Sequence, residues 1–499
     1  MNTVEKWGLF EVSLKGPSAG NPFTEQSVSA TFRSKNEIVT VDGFYDGDGV
    51  YKVRFMPSFT GDYVYETVGS FPEAESAGDF TVTEPTGNNH GPVRIANTYH
   101  FAYEDTTPYY SVGTTCYAWA HQPEEVHKQT LEELDKGYFN KMRFCVFPKH
   151  YIHNFRDPET FPYEGTPVDN SNLTEENFSY SVDFSGNNWD FTRFNPARFR
   201  RMERCIVELQ ERGIEADIIV MHPYDRWGFS VMNREQDDLY WNYVIARFSA
   251  YRNVWWSLAN EYDLMRAKKL EDWEHYADLL CKKDPYNHMR SIHNCIPFYD
   301  HTRPWITHCS LQRQDLYRHV EYTTDYRTRY QKPIVWDEIA YEGNIDMGWG
   351  NISGQELTRR FWEASMRGGY AGHGETFMNP EDILWWSHGG KLHGESPARI
   401  RFLHEILTQT PGLGLKQGPG AFDETVAVPD EMIPVTGYEI HYYGFGRPSF
   451  RDFVKPAGEN WRVEVIDTWN MTITDAGVHS GKFRIALPGH EYMAVRLTR

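Results

Sequence analysis

The 499-residue sequence predicts a (β/α)8 TIM barrel flanked by two all-β sandwich domains, and three observations predict it. Between about residues 93 and 410, eight short apolar runs alternate with amphipathic helical segments, the pattern of βα units around a parallel sheet. On either side, polarity alternates residue by residue between Gly, Pro and Asp turns. A doubly wound sheet is the competing arrangement, but it needs no eight similar units, and the chain has no glycine-rich phosphate loop. The expected domains are 1–88, an immunoglobulin-like sandwich; 89–410, the barrel; and 411–499, a second sandwich.

Composition narrows the function classes. A formal net charge of −20 argues against a nucleic-acid partner and against an anionic membrane surface. No apolar run approaches the roughly 20 residues that span a bilayer. The start, Met1 to Trp7, has neither a basic cluster nor an apolar core, and six cysteines lie without CxxC spacing, so a cytoplasmic protein with free thiols is expected. No cofactor is implied, and assembly into a homo-oligomer stays open.

Taken in order, Val50–Phe55 and Asp62–Thr67 alternate as sandwich strands, and Asn88–Pro92 reads as a linker. The eight barrel strands are expected at Tyr109–Gly113, Lys141–Phe147, Ala216–Met221, Val254–Leu258, Met289–His293, Trp305–Cys309, Ile334–Trp336 and Tyr370–Gly374. Between them, Asn195-Pro196 starts a helix whose face is Phe199, Met202, Ile206 and Leu209, and Gly213 stops it. Ser353 to Glu356 predicts a capping box. The long segment 148–194 follows a strand's carboxyl end and is expected to overhang the barrel mouth. A last helix from Pro397 gives way at Pro411-Gly412 to alternating strands at Tyr438–Tyr443, Trp461–Ile466 and Tyr492–Leu497.

Chemistry concentrates at two strand ends. Val254 to Ala259 closes on Asn260-Glu261, and Ile334 to Trp336 closes on Asp337-Glu338. On a barrel both ends belong to the mouth, and a retaining glycosidase needs two carboxyls about 5–5.5 Å apart, one as acid/base and one as nucleophile. The bland alternative is a helix cap at Glu261 and a surface ion pair at Glu338; an amide directly before Glu261, suited to a sugar hydroxyl, speaks against it. Asp263 is assigned a capping or supporting role.

Asn260-Glu261 after Trp255-Trp256-Ser257-Leu258, with Trp336-Asp337-Glu338 later, resembles the clan A glycoside hydrolases. The segments Trp189 to Pro196, Met221 to Phe229 and Ser291 to Asn294 are similar to the apiosidase-like branch of that clan, over essentially the whole chain. The resemblance implies that Glu261 protonates the leaving oxygen, that Glu338 attacks the anomeric carbon, and that Asn260 contacts the 2-hydroxyl. It also implies that Arg143 orients the nucleophile, against the alternative of pairing with an acid in the barrel floor.

Histidines His222, His293, His308 and His373 end strands and would suit a metal, but no HxH pair ends the first strand and no HExxH occurs, so sugar contacts explain them equally well. His308 is expected to hydrogen-bond Glu338. Glu375, the Trp385-Trp386 pair, Trp119 and His121 are candidate sugar contacts, with rim packing as the alternative for the indoles. Together these predict a retaining, exo-acting glycoside hydrolase with a carbohydrate partner, no metal and no cofactor. A catalytically silent carbohydrate-binding protein and a metal-dependent hydrolase are the alternatives.

Overall fold

The computed structural model describes residues 2–315, 317–420, 423–431 and 436–499. Its N-terminal sandwich has a five-stranded and a three-stranded sheet. In Phe10–Lys15, Phe10, Val12 and Leu14 are buried while the residues between them stay accessible, and the buried set shares one core with Phe32, Phe55 and Phe80.

Eight strands build the barrel: β1 Val112–Thr115, β2 Lys141–Cys145, β3 Glu215–Met221, β4 Val254–Ala259, β5 Arg290–Ser291, β6 Cys309–Ser310, β7 Ile334–Trp336 and β8 Tyr370–His373. Their hydrogen-bonded order is β5-β4-β3-β2-β1-β8-β7-β6. A parallel bridge from His293 to Ser310 joins the two ends of that order. Every residue of β2, β3 and β4 is buried, as expected for strands covered on both faces.

Three strands differ most from the sequence reading. The first begins three residues later than expected, because Tyr109 pairs instead with Phe101 in an antiparallel hairpin. The fifth contracts to Arg290–Ser291. The sixth shortens and shifts to Cys309–Ser310, since Pro304 sits in a turn closed by Ile306 N–H donating to the Arg303 carbonyl at 3.2 Å.

The helices between strands include α1 Glu124–Leu134, α2 Pro196–Glu211, α3 Arg234–Phe248, α4 Leu270–Lys283, α5 Thr323–Tyr330, α6 Gly354–Met366 and α7 Ser396–Leu407. In α2 the expected face Phe199, Met202, Ile206 and Leu209 is buried, and Gly213 at φ +68° ends the helix. Asn195 occupies the N-cap position without a side-chain bond. At α6 the capping box is half made: Ser353 Oγ accepts from Glu356 N–H at 3.2 Å. The Glu356 carboxylate turns to Arg359 and Arg360 instead of back to the cap, because two guanidiniums outcompete one backbone amide. Segment 148–194 is not wholly irregular, since Tyr163–Thr166 and Asn188–Phe194 form a hairpin within it.

The chain partitions into two compact units, 1–93 with 117–127 and 143–292, and 94–116 with 128–142 and 293–499. In the first, buried charges tie the sandwich to helices α2 and α3. Arg54 Nη1 meets Glu203 Oε1 at 2.7 Å, and Arg247 Nη1 meets Asp46 Oδ1 at 2.8 Å. In the second, a six-stranded and a two-stranded sheet share a core of Val463, Ile485, Val495 and Leu497. Asp430 links this module to the barrel by pairing with His100 and Arg327, which hold its carboxyl well below the usual range against the opposing effect of burial. Among the described residues no cysteine forms a disulfide. Among the described residues, no helix is long and apolar enough to cross a membrane.

Candidate functional site

The first unit gathers four of the expected residues at the ends of β2, β3 and β4. After β4, Asn260 N–H donates to the Met221 carbonyl at 3.0 Å, extending the pairing with β3 by one residue. The backbone then turns sharply: Glu261 sits at φ 49°, ψ 56°, ahead of a 3-10 turn over Tyr262–Leu264. A left-handed glutamate costs roughly 1 kcal/mol or more, and such strain is kept where it aims a side chain. Here it holds a buried carboxylate at a strand end. Asp263 lies inside that turn, not at its cap; the cap position is Glu261 itself, whose side chain makes no capping bond, which replaces the capping role expected of Asp263.

Tyr224, which the sequence reading left without a role, donates its hydroxyl to Glu261 Oε2. Two groups fix Tyr224. His222 accepts from Tyr224 N–H through Nδ1 at 3.2 Å and donates from Nε2 to the Phe147 carbonyl at 3.2 Å, so the ring braces the loop after β3. Burial drives that imidazole down to about 3, leaving it neutral, as a ring that both accepts and donates must be. The Lys149 ammonium lies over the Tyr224 ring at 4.5 Å and over Tyr117 at 4.0 Å, a desolvated cation held by aromatic faces.

Arg143 is 1% exposed, and the acid of the alternative reading is among its partners. Its Nε lies 3.4 Å from Asp217 Oδ2, the acid in the barrel floor, and Nη2 donates to Ser257 Oγ at 3.3 Å and to Asn260 Oδ1 at 3.4 Å. The Asn260 amide is thereby oriented with its oxygen toward Arg143. His121 is buried between the Cys145 carbonyl at 3.1 Å and Arg198 Nη2 at 3.0 Å. Trp119 is fully buried and stacked on His127 at 4.5 Å.

In the second unit, β7 leads to Asp337 and Glu338, whose side chains part company. Asp337 points inward, taking Lys141 Nζ at 2.7 Å and Ser310 Oγ at 2.5 Å. Glu338 keeps 15% of its side chain accessible, and His293 Nδ1 is 4.0 Å from its Oε1. The ring expected beside Glu338 is His308; that residue is buried with Nδ1 against Thr307 Oγ1 at 3.1 Å and packs nearly at a right angle to Phe101.

After β8, His373 Nδ1 meets Thr114 Oγ1 at 2.9 Å, and Trp385 Nε1 donates to the same oxygen at 2.8 Å. Trp386 packs against Trp349 at 5.1 Å. Glu375 is 1% exposed and accepts from His393 N–H at 2.5 Å and Gly394 N–H at 2.8 Å. Burial, against these two bonds, pushes its carboxyl up to about 8. Glu342, a second buried carboxylate absent from the sequence reading, takes the next two amides of the same loop. Nothing in its local sequence separates it from any other glutamate near a strand end.

Comparison with known proteins gives three family matches. Residues 96–390 match the apiosidase-like catalytic domain, while residues 3–70 and 430–498 match two domains of unknown function, DUF5060 and DUF5605. A crystal structure of a candidate glycoside hydrolase from Bacteroides vulgatus superposes with a TM-score of 0.92 at 34% identity, covering 100% of both chains. A glycoside hydrolase family 5 structure from the same organism aligns with a TM-score of 0.60 at 13% identity, over 82% of this chain and 94% of that one, a likeness of fold alone. Comparison with curated proteins finds no match.

Proposed function

This chain belongs to the apiosidase-like glycoside hydrolases, and from that premise we propose that it is a retaining, exo-acting glycosidase working through Glu261 and Glu338. The observation that carries the reading is that a barrel of this family ends β4 on Asn260-Glu261 and β7 on a partly accessible Glu338.

In the first step the Glu338 carboxylate forms a bond to the anomeric carbon as Glu261 gives its proton to the departing glycosidic oxygen. In the second, Glu261 takes a proton from water while that water displaces Glu338, releasing the sugar with its anomeric configuration kept. Tyr224 and Lys149 hold the Glu261 carboxyl in one place through both steps, and the Arg143-held amide of Asn260 is set to grip the sugar's 2-hydroxyl. Exo action is read from segment 148–194, whose Asn188–Phe194 strand ends where α2 begins and whose aromatic rings suit a closed pocket. The family's name makes a terminal apiosyl residue the first sugar to try, within a panel of aryl glycosides.

The test is azide rescue on the cleaved aryl glycoside. Glu261→Ala with azide is expected to give a glycosyl azide of retained configuration, and Glu338→Gly one of inverted configuration. A 2-fluoro glycoside should leave a covalent adduct on Glu338. Full turnover by Glu338→Gln on every cleavable glycoside would sink the mechanism.

A further inference from the structure

We infer that Glu342, His373 and Glu375 form a binding site for a zinc-class divalent cation in the second unit, separate from the proposed acid/base and nucleophile. One ligand atom from each residue lies within 4.8 Å of the other two, and all three side chains are buried. That spacing fits ligands around one ion, for which metal–ligand distances are about 2.0–2.2 Å.

Two features go beyond a cluster of acids. The first is the imidazole. His373 is 0% exposed and its Nδ1 is taken by Thr114, while its Nε2 is buried with no hydrogen-bond partner. Thr114 Oγ1 already accepts from Trp385 Nε1–H, and its second lone pair can accept His373 Nδ1–H. Nε2 is then a bare lone pair, held in orientation as metal-bound histidines are by a bond from the opposite nitrogen.

The second feature is a pair of buried carboxyls with no cationic side chain beside them. Glu342 is 3% and Glu375 1% exposed, and among the described residues neither meets a lysine or arginine. Their described partners are four consecutive backbone amides: Glu375 takes His393 and Gly394, and Glu342 takes Glu395 at 2.8 Å and Ser396 at 3.0 Å, at the start of α7. These bonds fix both carboxylates and leave each oxygen a lone pair. At Gly394 a Cβ would stand 2.5 Å from Glu342 Oε2 and 2.7 Å from Glu375 Oε2, so the two oxygens converge on one spot that only glycine leaves clear. One imidazole with two carboxylates favours zinc or a neighbouring transition ion over calcium, which prefers an all-oxygen shell.

The site assigns Glu375 a structural role in place of a sugar contact. An ion there would lock the loop 393–396 onto the ends of β8 and the Glu342 segment.

The test reads binding directly, so it stands apart from glycosidase activity. The full-length protein is stripped with a chelator, then titrated with zinc chloride by calorimetry and assayed for retained metal by mass spectrometry. One tight equivalent is expected, with a rise in thermal midpoint. His373→Ala and the near-isosteric Glu375→Gln should weaken that equivalent by at least about tenfold while circular dichroism stays native. Absence of a stoichiometric site in the wild-type chain overturns the proposal, as does an equivalent that survives in a folded Glu375→Gln variant, which would place the zinc on other histidines.

Discussion

At the scale of single residues, the acid at the end of β4 depends on neighbours that chemistry could not pick out of the sequence. Tyr224→Phe removes one hydroxyl that bonds the Glu261 carboxylate. Hydrogen bonds to charged groups are worth about 1.5–3 kcal/mol, so kcat/KM on an aryl glycoside should fall by roughly ten- to a hundredfold, with thermal midpoint little changed. Steady-state kinetics beside a melting curve checks both halves. Glu215, at the start of β3, supplies a pH prediction. Burial pushes its carboxyl up to about 8, against the opposing bond from Trp255 Nε1 at 2.9 Å. The folded chain therefore holds a proton that the unfolded chain has released. Stability from this group is full below about 4.5 and lost as pH rises through about 8, a swing on the order of 5 kcal/mol at most. Glu215→Gln keeps an oxygen for Trp255 and removes the titration. Its melting temperature should fall less than that of the parent between pH 5 and 8, and parallel curves would exclude the assignment.

At the scale of elements, β7 shows how one strand end does two jobs. Asp337 is spent inside the barrel on Lys141 and Ser310, all buried, which leaves Glu338 as the accessible carboxylate. Asp337→Ala strands a buried ammonium and should cost about 3–5 kcal/mol, read as a lower unfolding midpoint in denaturant. Element type was legible wherever burial imposed a clear period. Two-sided burial makes β4 and β7 nearly continuous apolar runs, and the one-sided face of α2 shows as a 3.6-residue stripe. Element ends were less legible. Tyr109 alternates like a barrel strand but is captured by Phe101, and Glu356 abandons its capping box for two arginines. Both outcomes turn on competition between nearby partners that a strand or capping pattern does not rank.

At the scale of the molecule, the N-terminal sandwich is held within its unit by buried ions. Arg54 and Arg247 share Glu203, and Arg247 also reaches Asp46. Glu203→Ala leaves two buried guanidiniums short of an acid, so a loss of about 3–5 kcal/mol is expected. Calorimetry should show the thermal transition moving down; an unchanged midpoint would mean that the sandwich adds nothing to this unit's stability.

By itself the sequence determined the barrel with its flanking β modules, the glycosidase family, and the two glutamates to test first. The barrel and the two glutamates follow from periodicity and from residue types at strand ends, which are local properties, and the family follows from the resemblance that the motifs carry. Only the tertiary structure decided that Tyr224 bonds Glu261 with Lys149 over its ring, that His293 Nδ1 stands 4.0 Å from Glu338, and that Glu342 joins His373 and Glu375. The physical reason is that burial and side-chain direction arise from packing between segments far apart in the chain. A neutral imidazole, a raised carboxyl and a shared backbone loop exist only once that packing has formed.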